Sequence, residues 1–507
     1  MDDVPVEAPG LAGVVAVARG AARATLGPEA KTRVAASRQR VERLAAGDAP
    51  AYGINTGFGA LATTDVPPAE RQELQLALLR SHAAGIGPFV EPEIVRATML
   101  VRAKTLAAGY SGVRPELLEA LIALLNAGVV PAVPEHGSLG ASGDLAPMAH
   151  IGLCLCGEGW ALCDGQAIPA AEALRAAGLE QVAPAEKEGL ALTNGTDGML
   201  GMLALAIADL SLLLETADVT AAMAIEALLG TDRAFREEVQ ALRPHPGQQA
   251  SAHNLRLLLR DSPIVASHRH SPHLVQDAYS LRCTPQVYGA ARDTLAFATQ
   301  TAERELDAVT DNPVILLDGD VASGGNFHGE PLAFALDFLA IAAAEVGAIT
   351  ERRIDRMLDP ARSQGLPPFL APHAGTNSGF MIAHYTAASL AEENRRLSLP
   401  ASTGSLPVSA GQEDHNSMGW SAGLKLRKVL SNLTAMLGIE ALCAAQALDL
   451  RAPLTPGPAT AAARERVRAE ISFRERDAFL APDLAAAAKL VGSGALAQAA
   501  EAIVDLQ

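Results

Sequence analysis

Long segments dominate the chain in which apolar residues return every three to four positions, the spacing of one face of an α-helix. Five stand out: Met199–Ala217, Tyr288–Val309, Pro331–Met357, Met381–Leu397 and Leu424–Leu450. Their faces are rich in Ala, whose small side chain lets helix axes approach closely, so they predict a bundle. The earlier part is more mixed. Glu70–Ala84 reads as a helix with Leu74, Leu78 and His82 in steps of four and Gly85 as its stop, and Glu116–Asn126 as another closed by Gly128. Val129–Gly143 holds too many prolines and turn residues for a helix and is expected to be loop. Asp164-Gly165 and Asp318-Gly319 each separate two short runs and predict hairpins, Trp160–Cys163 with Gln166–Pro169 and Val314–Leu317 with Asp320–Ala322. The expected fold is mainly α, a long-helix bundle (198–507) after a mixed N-terminal portion (1–197), with minor β-hairpins.

Composition narrows the classes. Hydrophobic residues make up 49% of the 507 positions and aromatics only 4%, so the core is built from aliphatic side chains. A formal charge of −17 would repel phosphate backbones and anionic lipid, which argues against nucleic acid as a partner. The most apolar windows contain Asp209, Asp337 and Glu345, which fits buried helices better than bilayer spans, so no membrane partner is expected. The start, Met1-Asp2-Asp3-Val4-Pro5, is acidic and lacks the apolar core of a secretory signal. Five irregularly spaced cysteines suggest neither a disulfide framework nor a zinc site, and a cytoplasmic location is expected. Asn194-Gly-Thr196 matches a glycosylation sequon, a coincidence in such a chain. His268-Arg-His270-Ser-Pro-His273 brings three histidines together without a carboxylate or cysteine to complete a metal site, so no metal is expected.

The chemistry concentrates in Gly137-Ser-Leu-Gly-Ala-Ser-Gly-Asp-Leu-Ala-Pro147. It is not a phosphate-binding P-loop, since no Gly-Lys-Ser/Thr follows. Nor is it a nucleophile elbow, which would need Gly where Asp144 stands. A dinucleotide fingerprint would need a preceding strand and a parallel βαβ unit. Asp144 can act as N-cap of a helix beginning at Leu145, which would put Ala141-Ser142-Gly143 beside the positive end of a helix dipole.

Ala141-Ser142-Gly143 followed by Asp-Leu-Ala-Pro resembles the signature of the ammonia-lyases and aminomutases that act on histidine, phenylalanine and tyrosine through 4-methylidene-imidazol-5-one (MIO). The likeness runs in islands from Tyr52 to about Leu450 and implies the aspartase/fumarase-like (ammonia-lyase) helical fold. It also implies that the cofactor forms autocatalytically. The Gly143 amide nitrogen attacks the Ala141 carbonyl carbon, and loss of two waters leaves a methylidene derived from Ser142; no exogenous cofactor is needed.

The resemblance further implies roles along the chain. Tyr52, in Tyr52-Gly-Ile-Asn-Thr-Gly-Phe-Gly, matches a loop tyrosine acting as base, and Asn194 the residue that hydrogen-bonds the cofactor oxygen. Gln276 and Tyr279 match residues lining the site, with Tyr279 in the catalytic set, and Arg282 the partner of the substrate carboxylate. Phe327 matches an aromatic packed on the substrate. Ser81-His82 and Glu413 match the members acting on histidine, where a carboxylate can bind an imidazole N–H or act as a base. The sequence departs from that pattern at Thr403-Gly404, Gly411 and Asn416, all close to Glu413.

The implied activity is conversion of L-histidine to trans-urocanate and ammonia, a step in histidine catabolism, by a homotetramer. Either Tyr52 or Glu413 would remove the β-proton. Phenylalanine or tyrosine lyases and 2,3-aminomutases would use the same cofactor, and a catalytically silent helical scaffold is the alternative from another class.

Overall fold

The computed structural model describes residues 2–47, 51–57, 64, 66–270 and 275–507. The chain is mainly helical, with a few two- or three-stranded sheets among the described residues. It forms two compact units that interleave along the sequence. One comprises 1–205, 298–337 and 400–424; the other comprises 206–297, 338–399 and 425–507. A boundary at 197/198 would fall at the first residue of helix Asp197–Ala227, and the first unit also takes two segments from the later half of the chain.

In the first unit, helix Pro92–Ala107 packs against Gly10–Ala18 and Pro115–Asn126. Helices Arg71–His82, Leu145–Leu155 and Glu188–Thr193 pack on one another. Both expected hairpins are present. Trp160–Cys163 pairs with Gln166–Pro169, and Asp164 and Gly165 take φ of 49° and 76°, as a two-residue turn of this hand requires. Val314–Ile315 pairs with Val321–Ala322 over a shorter stretch than expected. The segment expected to be loop, Val129–Gly143, contributes two short strands. Val130–Pro131 extends the first hairpin to three strands, and Pro134–His136 pairs with Ile86–Phe89. Their prolines sit where pairing is only two or three residues long, so a missing N–H costs little.

The long helices run close to the expected segments: Asp197–Ala227, Thr284–Leu306, Glu330–Leu358, Met381–Leu397 and Gly419–Asp449. By length and composition alone Asp197–Ala227, Glu330–Leu358 and Gly419–Asp449 could cross a membrane; in the fold their most apolar windows are 72%, 61% and 83% buried. Asp197–Ala227 extends ten residues past the expected end at Ala217 because the polar residues that break its apolar pattern are themselves buried and partnered. In the second unit, the fully buried Asp218 accepts from Ser251 Oγ (2.5 Å), Asn254 Nδ2 (2.9 Å) and Arg292 Nη2 (2.8 Å). Thr220 donates to Glu440 (2.6 Å), which is paired with the buried Arg353. Glu226 accepts from the backbone N–H of Gly457 (2.7 Å). Further helices at Pro28–Ala46, Pro246–Leu258 and Pro458–Arg468 open with proline, which supplies a helical φ where no N–H partner is needed.

Removing the acceptor at the centre of the Asp218 network leaves the largely buried Arg292 guanidinium and the Ser251 hydroxyl without this partner, while Asn254 Nδ2 keeps only its bond to Gln507 O. Asp218→Ala is expected to lower unfolding stability by about 3–5 kcal/mol, read from chemical denaturation followed by circular dichroism. A loss below about 1 kcal/mol, the value of an ordinary surface pair, would contradict this reading.

Candidate active site

The segment Ala141-Ser142-Gly143 forms a tight turn, closed by a bridge between Gly140 and Gly143. Gly143 has φ +80°, and a Cβ there would lie 1.9 Å from the carbonyl oxygen of Gly195, so both conformation and space demand glycine. Two backbone hydrogen bonds hold the turn against that neighbour. Asp144 N–H donates to Gly195 O (2.7 Å) and Gly195 N–H donates to Ser142 O (3.2 Å). From another side Met418 N–H donates to Leu139 O (2.9 Å) and Ser417 Oγ to Gly140 O (3.4 Å).

Asp144 occupies the N-cap position of helix Leu145–Leu155, as expected, but its side chain does not cap that helix. The carboxylate instead accepts from Met199 N–H (2.8 Å), in the first turn of Asp197–Ala227, and from Ser138 Oγ (3.4 Å). The turn is therefore tied to the N-termini of two helices. Arg102, fully buried, donates to Ala191 O (3.2 Å) and Asn194 O (2.9 Å) and pairs with Asp197, fixing the strip that faces the turn.

The turn opens onto a cavity of about 760 Å³ within the first unit. Tyr52, His82, Ala141, Ser142, Asn194, Phe327 and Glu413 all line it, so these expected site residues, scattered over much of the chain, come together. Tyr52 lies in the turn Ala51–Asn55, anchored by Ala51 and Ile54 in a small apolar cluster with Val41 and Ile315. Phe58 and Gly59 of the same motif lie outside the described residues. Asn194 donates through Nδ2 to Asn312 O (2.9 Å) and is nearly fully buried, which removes it as a glycosylation acceptor. His82 accepts from or donates to Ser81 Oγ at 3.0 Å, and burial lowers its pKa below the ordinary imidazole value.

Glu413 meets the turn directly: Ser142 Oγ donates to its Oε1 at 3.5 Å. Burial pushes the Glu413 carboxyl above the ordinary range, partly offset by that hydrogen bond. Its loop is unusual. Val408 and Glu413 bridge through Val408 N–H to Glu413 O (3.0 Å), and between them Ser409 and Ala410 hold φ of 54° and Gly411 85°. Left-handed backbone at a non-glycine residue costs roughly 1–3 kcal/mol and persists only where its surroundings enforce it. Asn416 is one enforcer: fully buried, it donates through Nδ2 to Leu406 O and Glu413 O (3.4 Å), and its own N–H donates to Ser405 Oγ (2.7 Å). Asn312 supports the site without being apparent from the sequence, where its only signal is a polar residue in a turn-rich stretch, whereas Asn416 is visible there only as a departure from the family pattern beside Glu413.

Gln276, Tyr279 and Arg282 belong to the second unit and are not among the described residues lining this cavity. Gln276 and Tyr279 are exposed. The Arg282 guanidinium lies over the Tyr279 ring at 4.6 Å, and its Nε is buried with no hydrogen-bond partner among the described residues. Of the histidines at 268–273, His268 donates through Nε2 to Gly230 O (3.0 Å), while His273 lies outside the described residues. All five cysteines are free thiols.

Asp144 generates a pH prediction. Burial raises its pKa to about 7, with Asp197 nearby adding to the shift; an unfolded chain would release that proton near 3.9. Between those values the folded state holds a proton that the unfolded state has lost, so stability falls as pH rises from about 4 to about 7. Asp144→Asn should remove this component, and melting temperatures across that window should show a shallower decline than in the parent. Parallel profiles would contradict the assignment.

The chain matches the family model described as aromatic amino acid lyase over residues 10–469. It is 55% identical to a histidine ammonia-lyase of Streptomyces avermitilis, covering 97% of this chain and 96% of that protein. Among solved structures, it is similar to histidine ammonia-lyase from Trypanosoma cruzi (TM-score 0.91, 38% identity, 99% of this chain and 96% of that one). It is also similar to tyrosine aminomutase from Streptomyces globisporus (TM-score 0.94, 37% identity, 100% and 99%). A match across nearly the whole chain, joined to a site assembled around Ala141-Ser142-Gly143, makes this chain a member of the aromatic amino acid lyase family.

Proposed function

We propose that the protein is a histidine ammonia-lyase, releasing ammonia from L-histidine to give trans-urocanate through an MIO group formed from Ala141, Ser142 and Gly143. The observation that carries the substrate assignment is the Glu413 carboxylate on the cavity wall, 3.5 Å from Ser142 Oγ. A half-buried carboxylate suits an imidazole N–H and is poorly matched to a phenyl ring. The 55% identity to a protein named for histidine supports the same reading.

The residues present fit the cofactor. The backbone already bends at Ala141–Gly143, Gly143 carries no Cβ, and Ser142 faces the cavity. Once formed, MIO supplies an electrophile that converts the substrate amine into a competent leaving group. The rest falls to side chains. Asn194 is held by Asn312 and Arg102 beside the turn, Phe327 offers an apolar wall, and Tyr52 and Glu413 are the wall groups to which we assign removal of the β-proton. Substrate held between fixed groups reacts without first losing its freedom of orientation, which lowers the barrier.

Arg282, Gln276 and Tyr279 supply the carboxylate-binding part, and we assign them to the site of a neighbouring copy in a homotetramer. Among the described residues they do not line the cavity and the Nε of Arg282 has no partner, and both observations support this. Exposed apolar side chains on the second unit's helices, Phe297, Phe338, Ile341 and Ile382, offer surface for such an assembly.

Two experiments test these assignments. Glu413→Gln should cut histidine turnover severely while sparing phenylalanine and tyrosine in a substrate panel. It should also remove the acid limb of the kcat/KM profile, which Glu413's raised pKa places nearer neutrality than an ordinary carboxylate would. A wild-type preference for phenylalanine or tyrosine, barely altered in Glu413→Gln, would overturn the histidine assignment. For the shared site, Ser142→Ala and Arg282→Met should each be inactive alone and regain activity when refolded or co-expressed together, because mixed tetramers contain intact composite sites. Failure of mixed tetramers to regain activity would place all these residues in one copy's site.

A further inference from the structure

A second cluster on the same cavity wall has no part in the chemistry above. His328 and His415 both line the cavity, and with Glu330 they place three potential ligand atoms within 4.8 Å of one another. The two imidazole rings lie nearly parallel, 5.7 Å apart and 10° from coplanar orientation. His328 Nε2 is 3.2 Å from the carbonyl oxygen of His415. A carbonyl can only accept, so Nε2 carries the proton, and in the neutral ring the lone pair belongs to Nδ1. That nitrogen faces Glu330 Oε2 at 4.0 Å, too far for a hydrogen bond, and this oxygen is buried with no hydrogen-bond partner among the described residues.

Two acceptor atoms therefore face each other across a gap with no proton donor between them. The 4.0 Å gap and the 4.8 Å spread of the three ligand atoms are wider than the roughly 3.4 Å between ligands of a tetrahedral ion with bonds of about 2.0–2.2 Å, so the side chains would draw inward by up to about 1 Å around a cation. The backbone contact at Nε2 is the outer hydrogen bond that commonly orients a metal-binding imidazole and fixes its tautomer. We infer that His328, Glu330 and His415 form a three-ligand site for a borderline divalent cation of the Zn²⁺ class, with its remaining coordination positions turned to the cavity. Nitrogen and carboxylate donors favour such an ion over Mg²⁺ or Ca²⁺, which prefer all-oxygen shells. Water or a nitrogen or oxygen atom of a cavity ligand would complete the shell. The site goes beyond the lyase reading and does not depend on it, because binding can be read without turnover.

The test uses the full-length protein freed of metal on a chelating resin and titrated with Zn²⁺ alone in a calorimeter, with Co²⁺ absorption as a second readout. One saturable site per chain is expected, weakened about tenfold or more in Glu330→Gln and, separately, in His415→Gln. Melting of the metal-free variants should match the parent, and the two variants act from different segments, so a folding defect in one leaves the other informative. A carboxylate in the first turn of helix Glu330–Leu358 is also favoured by the helix dipole, which would hold Glu330 without any ion. In that case Zn²⁺ binding would be absent, or unchanged in both variants, and the inference would be overturned.

Discussion

The backbone of Gly143 lies against the carbonyl of Gly195 with no space for a side chain between them, and two N–H···O bonds run across that contact. Much of the first unit's interior serves to hold these two strips together. Gly195 is itself confined, since a Cβ there would fall 2.1 Å from Arg102 Nη2, and Arg102 is held by Asp197 at the head of a long helix. Asp144, next to the turn, binds the same helix end through Met199. Buried charges are costly unless paired, and here both carboxylates sit where helix N–H groups and a guanidinium satisfy them. The result is a bent Ala141–Gly143 segment whose shape is set by rigid neighbours rather than by its own preferences.

That rigidity matters because the cavity's other wall is built from less regular backbone. The Glu413 loop contains consecutive left-handed residues and depends on Asn416 for its shape. Structural likeness extends to a lyase and an aminomutase at TM-scores of 0.91 and 0.94, so the scaffold alone does not select a substrate. The groups facing the turn do, and Glu413 is the one whose chemistry distinguishes an imidazole from a phenyl or phenol ring.

Much of this was legible in the sequence where the determining interactions are local. Both Asp-Gly hairpins formed: Asp164 and Gly165 both take positive φ and specify a two-residue turn, while at Asp318-Gly319 only Gly319 does and a five-residue connection joins the strands. The long helices followed their apolar spacing. Helix Asp197–Ala227 outran its expected end because Asp218, Thr220 and Glu226 find partners far away in sequence, which no local pattern reveals. The short strands at Val130–Pro131 and Pro134–His136 were hidden for the same reason, their partners being Leu162 and Ala161 in one case and Ile86 and Phe89 in the other. In the site, the spelling around Ala141–Gly143, Tyr52, Asn194 and Glu413 marked residues that share a cavity. The side chain of Asp144 was expected at its own helix and serves a different one. Asn312 acts through one long-range hydrogen bond and carries no motif, and Asn416 stood out only as a departure from the family pattern, its local bonds holding the Glu413 loop.

The central claim is that the chain makes its own electrophile from Ala141, Ser142 and Gly143. Mass spectrometry of the proteolytic peptide containing these residues tests it without reference to substrate or turnover. The account predicts a peptide lighter than its sequence by two water molecules, with the deficit confined by fragmentation to Ala141–Gly143 and absent from Ser142→Ala protein. A peptide of unaltered mass from enzyme that turns over histidine would contradict it.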